Sequence, residues 1–192
     1  MDLIDHFSCY THLPVKLADV ASHIVETGAV DKIYRYAVDV DPAILRGIFR
    51  SYHHKPPYAP GGQTVAEVIY SKHLGPFDSR FVQCKEMLHA FDSESHMASR
   101  MEQVEQLAED IIVPLDVLMR LRGLPSKQVL SDNGKVFTAL AILLPRDFLD
   151  EVRPIYQAGR VTVAQIAQLA QVPTPYVRLA LRDDWQELAD AL

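Results

Sequence analysis

The sequence predicts an α+β fold that is predominantly α-helical, with a small antiparallel sheet in its first half and a helix-turn-helix-like unit at its end. Three observations predict it. Residues 44–53 and 64–73 are rich in β-branched and aromatic side chains and flank the turn-forming run PPYAPGG. From Arg80 onward the apolar positions recur every three or four residues, the period of a helix. Near the end, two apolar segments flank Pro173-Thr174-Pro175 with helix-turn-helix spacing. At 192 residues, 48% hydrophobic and 23% charged, the chain is long enough to bury a sizeable core. The expected organisation is an N-terminal helical segment at 1–41, a core domain at 42–150 and C-terminal helices at 151–192.

In chain order, Pro14 can open a first helix in which Leu17, Val20, Ala21 and Ile24 share a face, and Gly28 sits where a left-handed cap ends it. The segments 44–53 and 64–73 read as an antiparallel pair of strands joined by a loop, although Asp41-Pro42 could instead open a helix. Ser95 can cap a long helix carrying Met101, Val104, Leu107, Ala108, Ile111 and Ile112, which Pro114 ends or kinks. Gly123-Leu124-Pro125 and Ser131-Asp132-Asn133-Gly134 read as breaks around a short connector. The run VFTALAILL at 136–144 is too short for a membrane and suits a helix buried on most sides, the centre of the core.

Arg80 to Asp92 read RFVQCKEMLHAFD, with Phe81, Cys84, Leu88 and Phe91 on one helical stripe and Lys85, His89 and Asp92 on a neighbouring one. The segment looks like an HExxH helix whose first histidine is Lys85. In HExxH the two histidines hold zinc from one helical face and the glutamate activates the metal-bound water. A lysine ammonium has three donors and no lone pair, and its ordinary pKa of about 10.4 keeps it charged. Glu86 and His89 stay in register, but the first ligand is gone. Pairing of Lys85 with Glu86, Asp92 or another carboxylate would put its charge where the cation stood. Cys84 lies on the apolar stripe, which favours a structural thiol over a nucleophile.

In the C-terminal region Ile166, Ala167, Leu169, Ala170 and Val172 precede the proline-flanked turn, and Val177 and Leu181 follow it. Thr174 would cap the second helix and Pro175 would sit in its first turn. Charge works against a DNA-binding role, because Arg160, Arg178 and Arg182 share the stretch with Asp183, Asp184, Glu187 and Asp190, and DNA affinity rests on cations that neutralise phosphate. The unit is therefore expected to close the domain as a helical hairpin. DNA is a weak alternative partner, for which Arg178 and Arg182 are the candidate contacts.

The order of these motifs, from the strand TVAEVIYSKHL through Arg80-Phe81, KEMLH and FTALAILLP to the helical tail, resembles the ImmA/IrrE family of zincin-like proteins across residues 44 to 182. That family is associated with regulators of mobile elements and stress responses, in which a metallopeptidase domain cleaves or controls a helix-turn-helix repressor. The resemblance implies a zincin-like core, with Glu86 at the general-base position, His89 at the second histidine ligand and Lys85 in place of the first. The third ligand of the family falls near 131–134, where Asp132 is the acid. The stretch between Asp92 and Leu124 reads as an insertion relative to compact members.

A tetrahedral catalytic zinc needs three protein ligands and an open position. A rebuilt site would draw on His89, on Asp92 or Asp132, and on His96, His53 or His54, with Glu86 catalytic only in that case. The resemblance with its lost ligand therefore implies no resident cofactor, zinc being the alternative. It implies a non-catalytic regulatory or interaction protein of a bacterial or phage mobile element, acting through a repressor or toxin partner. The alternative is a zinc endopeptidase that cleaves a helix-turn-helix repressor.

The net charge of −6 argues against a surface devoted to nucleic acid. Cys9 and Cys84 are too few and too far apart for a disulfide framework or a thiolate zinc knuckle. The opening MDLIDHFSCYTHLP lacks the basic start and apolar core of a signal peptide, and no apolar stretch reaches about 18 residues. A soluble, cytoplasmic chain with no membrane partner is expected.

Overall fold

The computed structural model describes residues 3–55, 61–92 and 127–186, with the backbone alone at 127–133. In α1 (Leu3–Ser8) Leu3 and Phe7 lie one turn apart and both are buried. In α2 (Leu17–Glu26) the buried residues are Leu17, Val20 and Ile24, the stripe expected from their spacing. Gly28 follows at φ +78°, the left-handed position where glycine carries no Cβ penalty.

The sheet corrects the sequence reading in one respect. Besides β2 (Gly47–His54) and β3 (Gln63–Ser71), which pair antiparallel as expected, β1 (Lys32–Val38) pairs parallel with β3. The order is β1-β3-β2, a mixed sheet in which β1 and β2 are the outer strands among the described residues. A strand therefore lies inside the N-terminal segment that was expected to be helical throughout. Its KIYRYAV run carries the β-branched and aromatic residues Ile33, Tyr34, Tyr36 and Val38, which favour a strand. Asp41-Pro42 opens a single turn only, with Ala43 N–H donating to Asp41 Oδ1 (2.8 Å) and Leu45 N–H to Asp41 O (3.0 Å) before β2 starts.

The inner face of the sheet carries Ile33, Phe49, Ala66, Val68 and Tyr70 against the core. Across it lies α3 (Pro76–Met87), with Pro76 in its first turn and Phe81, Val82, Cys84, Glu86 and Met87 buried. Gly47 lets β2 approach this helix: a Cβ there would overlap Val82 Cγ1 and lie 3.0 Å from Glu86 Cγ. The α-helix stops at Met87 and the chain continues as a 3₁₀ turn, Leu88–Phe91. Leu88 is buried but Phe91 is 45% exposed, so the apolar stripe expected through Phe91 ends one turn early.

The next described helix, α4 (Lys127–Leu143), runs straight through Ser131 to Gly134, where a break was expected. One glycine costs a helix about 1 kcal/mol, which the packing of the following turns outweighs: residues 139–144 are all buried, as the apolar run predicts. Helices α1 and α3 both pack on α4. Then come α5 (Arg146–Gln157), α6 (Val163–Ala170) and α7 (Thr174–Ala180). The helix expected between Ser95 and Pro114, and the break at Gly123-Leu124-Pro125, lie outside the described residues.

The fold is mixed α+β with helix in the majority. Among the described residues no helix is long and apolar enough to cross a membrane.

Candidate functional site

The 3₁₀ turn decides the geometry around KEMLH. Glu86 sits in the last turn of α3, His89 in the 3₁₀ turn and Asp92 in the extended residue that follows it, and their side chains meet in one column. His89 Nε2 lies 3.8 Å from Glu86 Oε2, and His89 Nδ1 lies 2.6 Å from Asp92 Oδ2. HExxH needs i and i+4 on one α-helical face, and here the α-helix ends between Lys85 and His89.

Both ends of the column meet lysines. Lys85 Nζ lies 3.3 Å from Glu86 Oε1, and Lys135 Nζ, from α4, lies 2.6 Å from Asp92 Oδ1. The carboxylates are almost fully buried, at 8% and 4% side-chain exposure. Buried acids without cations would be costly, and each has one. Burial pushes the Asp92 carboxyl up, but hydrogen bonds from His89 and Lys135 outweigh it and hold the group below its ordinary value. The ring of Phe49, from the inner face of β2, lies 6.1 Å from that of His89.

The structure thus brings Lys85, Glu86, His89 and Asp92 together, and adds Lys135, which sequence reasoning missed. The signal was a lysine immediately before the apolar run at 136–144, which asks for a buried anion. His96 and the side chain of Asp132 lie outside the described residues. His53 and His54, considered as replacement ligands, do not join: they pair with Thr64 and Gln63 at the far end of β2. At about 3.3 Å per residue, His53 lies about 13 Å along the strand beyond Phe49.

Does zinc fit this donor set? Among the described residues no three His, Cys, Asp or Glu side chains converge as a metal requires, and both carboxylates already meet ammonium groups. These residues do not fit a tetrahedral zinc. Cys84 is fully buried and its thiol is pushed up to about 12 by that burial, so it stays protonated and unreactive at neutral pH. A shallow cleft of about 450 Å³ opens between α2 and the start of β1, lined by Ala21, Val25, Glu26, Lys32 and Tyr34, and no residue of the column lines it.

The C-terminal helices serve the core. A capping box starts α6, with Gln165 N–H donating to Thr162 Oγ1 (3.2 Å) and Thr162 N–H to Gln165 Oε1 (2.8 Å). At its other end Gln171 takes the left-handed conformation, φ 54°. The second helix is capped at Pro173 and not by Thr174, which is already helical, while Pro175 occupies the first turn as expected. Tyr176 stacks on Phe81 of α3 at 4.0 Å between ring centres, and Val177, Leu179 and Ala180 are buried. Of the candidate DNA contacts, Arg178 is exposed, whereas Arg182 forms a two-pronged pair with Asp184 at 2.8 and 2.6 Å.

No family model, curated protein or solved structure matches the chain. Fold and site together define the class: an α+β protein in which a lysine-closed acid–histidine column joins a sheet-backed helix to a buried apolar one.

Proposed function

We propose that the chain is a zincin-like scaffold of the ImmA/IrrE type that has exchanged its metal for lysine ammonium groups and acts by binding a protein partner, a repressor or a toxin component, without hydrolysing it. The observation that carries this reading is the run Lys85–Glu86–His89–Asp92–Lys135, in which acids and histidine at the HExxH position are closed at both ends by cations. The layout of the sheet supports it. The antiparallel strand β2 runs over the same helix, with Gly47 on Glu86 and Phe49 beside His89, and as an outer strand among the described residues it offers backbone groups to an extended peptide. A regulator that retains the edge strand but not the hydrolytic metal would hold its target instead of cutting it.

Elemental mass spectrometry on protein purified without chelator or metal-affinity resin, before and after zinc addition, tests the proposal. No zinc above background is expected in either sample. About one zinc per chain, lost in His89→Ala, would mean a rebuilt site and return the reading to a zinc endopeptidase with Glu86 as general base.

A further inference from the structure

The first helix depends on its neighbours. α1 has six residues, too few to hold a helix in water alone, and it lies on α4 with Phe7 fully buried and Leu3 nearly so. Its contact with α2 is made by rings. His6 stacks on His23 with ring centres 3.7 Å and planes 19° apart, and Phe7 meets the same imidazole edge-on at 5.9 Å. Just beyond α1, Tyr10 fastens the connector: its N–H donates to Phe7 O (3.0 Å) and its hydroxyl to Asp19 Oδ2 (2.6 Å).

The imidazole at the middle of this contact has no provision for a charge. Both ring nitrogens of His23 are buried and lack a hydrogen-bond partner among the described residues. A neutral imidazole needs one acceptor, whereas an imidazolium needs two and carries a charge as well. The acid beside it is Glu26, whose Oε2 lies 3.8 Å from Nδ1, beyond hydrogen-bond reach, and which is 73% exposed to water. The other charges acting on the ring are His6 and the chain's amino terminus, both cationic and both adverse to a proton on His23. Helix α3 and strand β1 also pack on α2 and add no charge that acts on the ring among the described residues. Burial first, then His6, hold the ring below its ordinary 6.5. With α1 lifted away, water reaches the ring and the like charge leaves it.

We propose that α1 is an acid-released strap: when His23 takes up a proton, α1 lifts from α2 and α4 and uncovers the apolar seat of Leu3 and Phe7 while the rest of the fold stands. The sign follows from which state binds the proton better. The open state holds His23 in water and the closed state holds it buried against His6, so acid favours opening. The closed state has its full advantage above about pH 6.5, and one proton lets the open fraction grow by up to about tenfold per pH unit below that. Opening draws on few contacts, as local opening does. The Tyr10–Asp19 hydrogen bond and the buried Leu17, Val20 and Ile24 lie on the far side of the hinge and stay in place. No residue of the Glu86 column takes part.

The test is amide hydrogen exchange of the full chain at pH 7.5, 6.5 and 5.5, with each rate divided by the intrinsic rate at that pH. Protection of residues 3–10 is expected to fall by about 3- to 10-fold between pH 7.5 and 5.5, while residues 139–144 of α4 keep theirs. His23→Leu should make the protection of residues 3–10 independent of pH, and His6→Leu should leave most of the dependence, because burial is the larger cause. Circular dichroism checks the fold of both variants, and the wild-type comparison stands without them. Unchanged protection of residues 3–10 across this range would overturn the proposal. So would an equal loss in residues 139–144, which is acid unfolding of the whole chain, or a pH dependence that survives in folded His23→Leu.

Discussion

Lys135 Nζ lies 2.6 Å from Asp92 Oδ1, tying the end of the 3₁₀ turn to the helix that carries the buried apolar run. Asp92 is thereby satisfied from two sides, by His89 within its own segment and by Lys135 from α4.

Removing one partner of a buried ion pair leaves the other uncompensated, typically at about 3–5 kcal/mol. Lys135→Met should therefore destabilise the protein by about 3 kcal/mol. Lys135→Met combined with Asp92→Asn should cost clearly less than the sum of the two single changes. Urea denaturation of the four proteins measures this, and strict additivity would show that the two groups do not act as a pair.

The same carboxyl sets an acid limit. Its folded pKa is held below the ordinary 3.8 by His89 and Lys135 against the upward push of burial, so its contribution is complete above about pH 4 and is lost as pH falls through the folded value. Between about pH 4 and 2, Asp92→Asn should lose less stability per pH unit than wild type. Parallel curves would contradict the assignment.

A second acid-sensitive point lies at the α1–α2 contact. Both ring nitrogens of His23 are buried and have no hydrogen-bond partner among the described residues, and the ring stacks on His6 at 3.7 Å. Burial first, and His6 second, push its pKa below the ordinary 6.5 against a weaker upward pull from Glu26. The unfolded chain then binds the proton more readily than the folded one, so stability falls as pH drops below about 6.5. His23→Leu should flatten that limb of the pH–stability curve, while His6→Leu should shift it only slightly.

Two glycines should respond in opposite directions to alanine. Gly47→Ala drives a methyl into Val82 and against Glu86 and should cost about 1–3 kcal/mol, as overpacking does. Gly134 has nothing within 4 Å of a built Cβ among the described residues and sits in a helix. Gly134→Ala should stabilise by about 0.5–1 kcal/mol. Thermal melts of the two variants suffice, and equal signs would refute the local packing described.

Restoring the motif on paper should not restore its chemistry. In Lys85→His the new imidazole precedes the end of the α-helix while His89 lies on the 3₁₀ turn, and Lys135 still occupies Asp92. Isothermal titration with zinc should show no site tighter than about 10 μM, against the far tighter apparent affinities of structural zinc sites. A nanomolar site in this single variant would mean that the turn readily rewinds to α-helix.

Much of this architecture was readable in the chain because period and punctuation are local properties. The stripe of Leu17, Val20 and Ile24 with Gly28 behind it, the antiparallel pairing of β2 and β3 and the buried run before Pro145 each rest on a handful of adjacent residues. What was missed depends on contacts distant in sequence. β1 is short and its parallel partner lies beyond β2, so neither a hairpin turn nor a long apolar run announced it. Helix α4 continues through Ser131 to Gly134 because burial beyond Gly134 outweighs local breakers. At the candidate site Lys85, Glu86 and His89 could be named from spacing, but the 3₁₀ pitch and the arrival of Lys135 are set by packing against another helix.

Phe81 stacks on Tyr176, and Phe137 lies 6.0 Å from the buried Trp185, so the terminal hairpin is fastened by aromatic rings to both α3 and α4. A unit that in a modular regulator would be free to drift, be swapped or be shed is here tied to the pace of change of the helix bearing Glu86. A substitution at Tyr176 is inherited as an alteration of the helix bearing Glu86 as well.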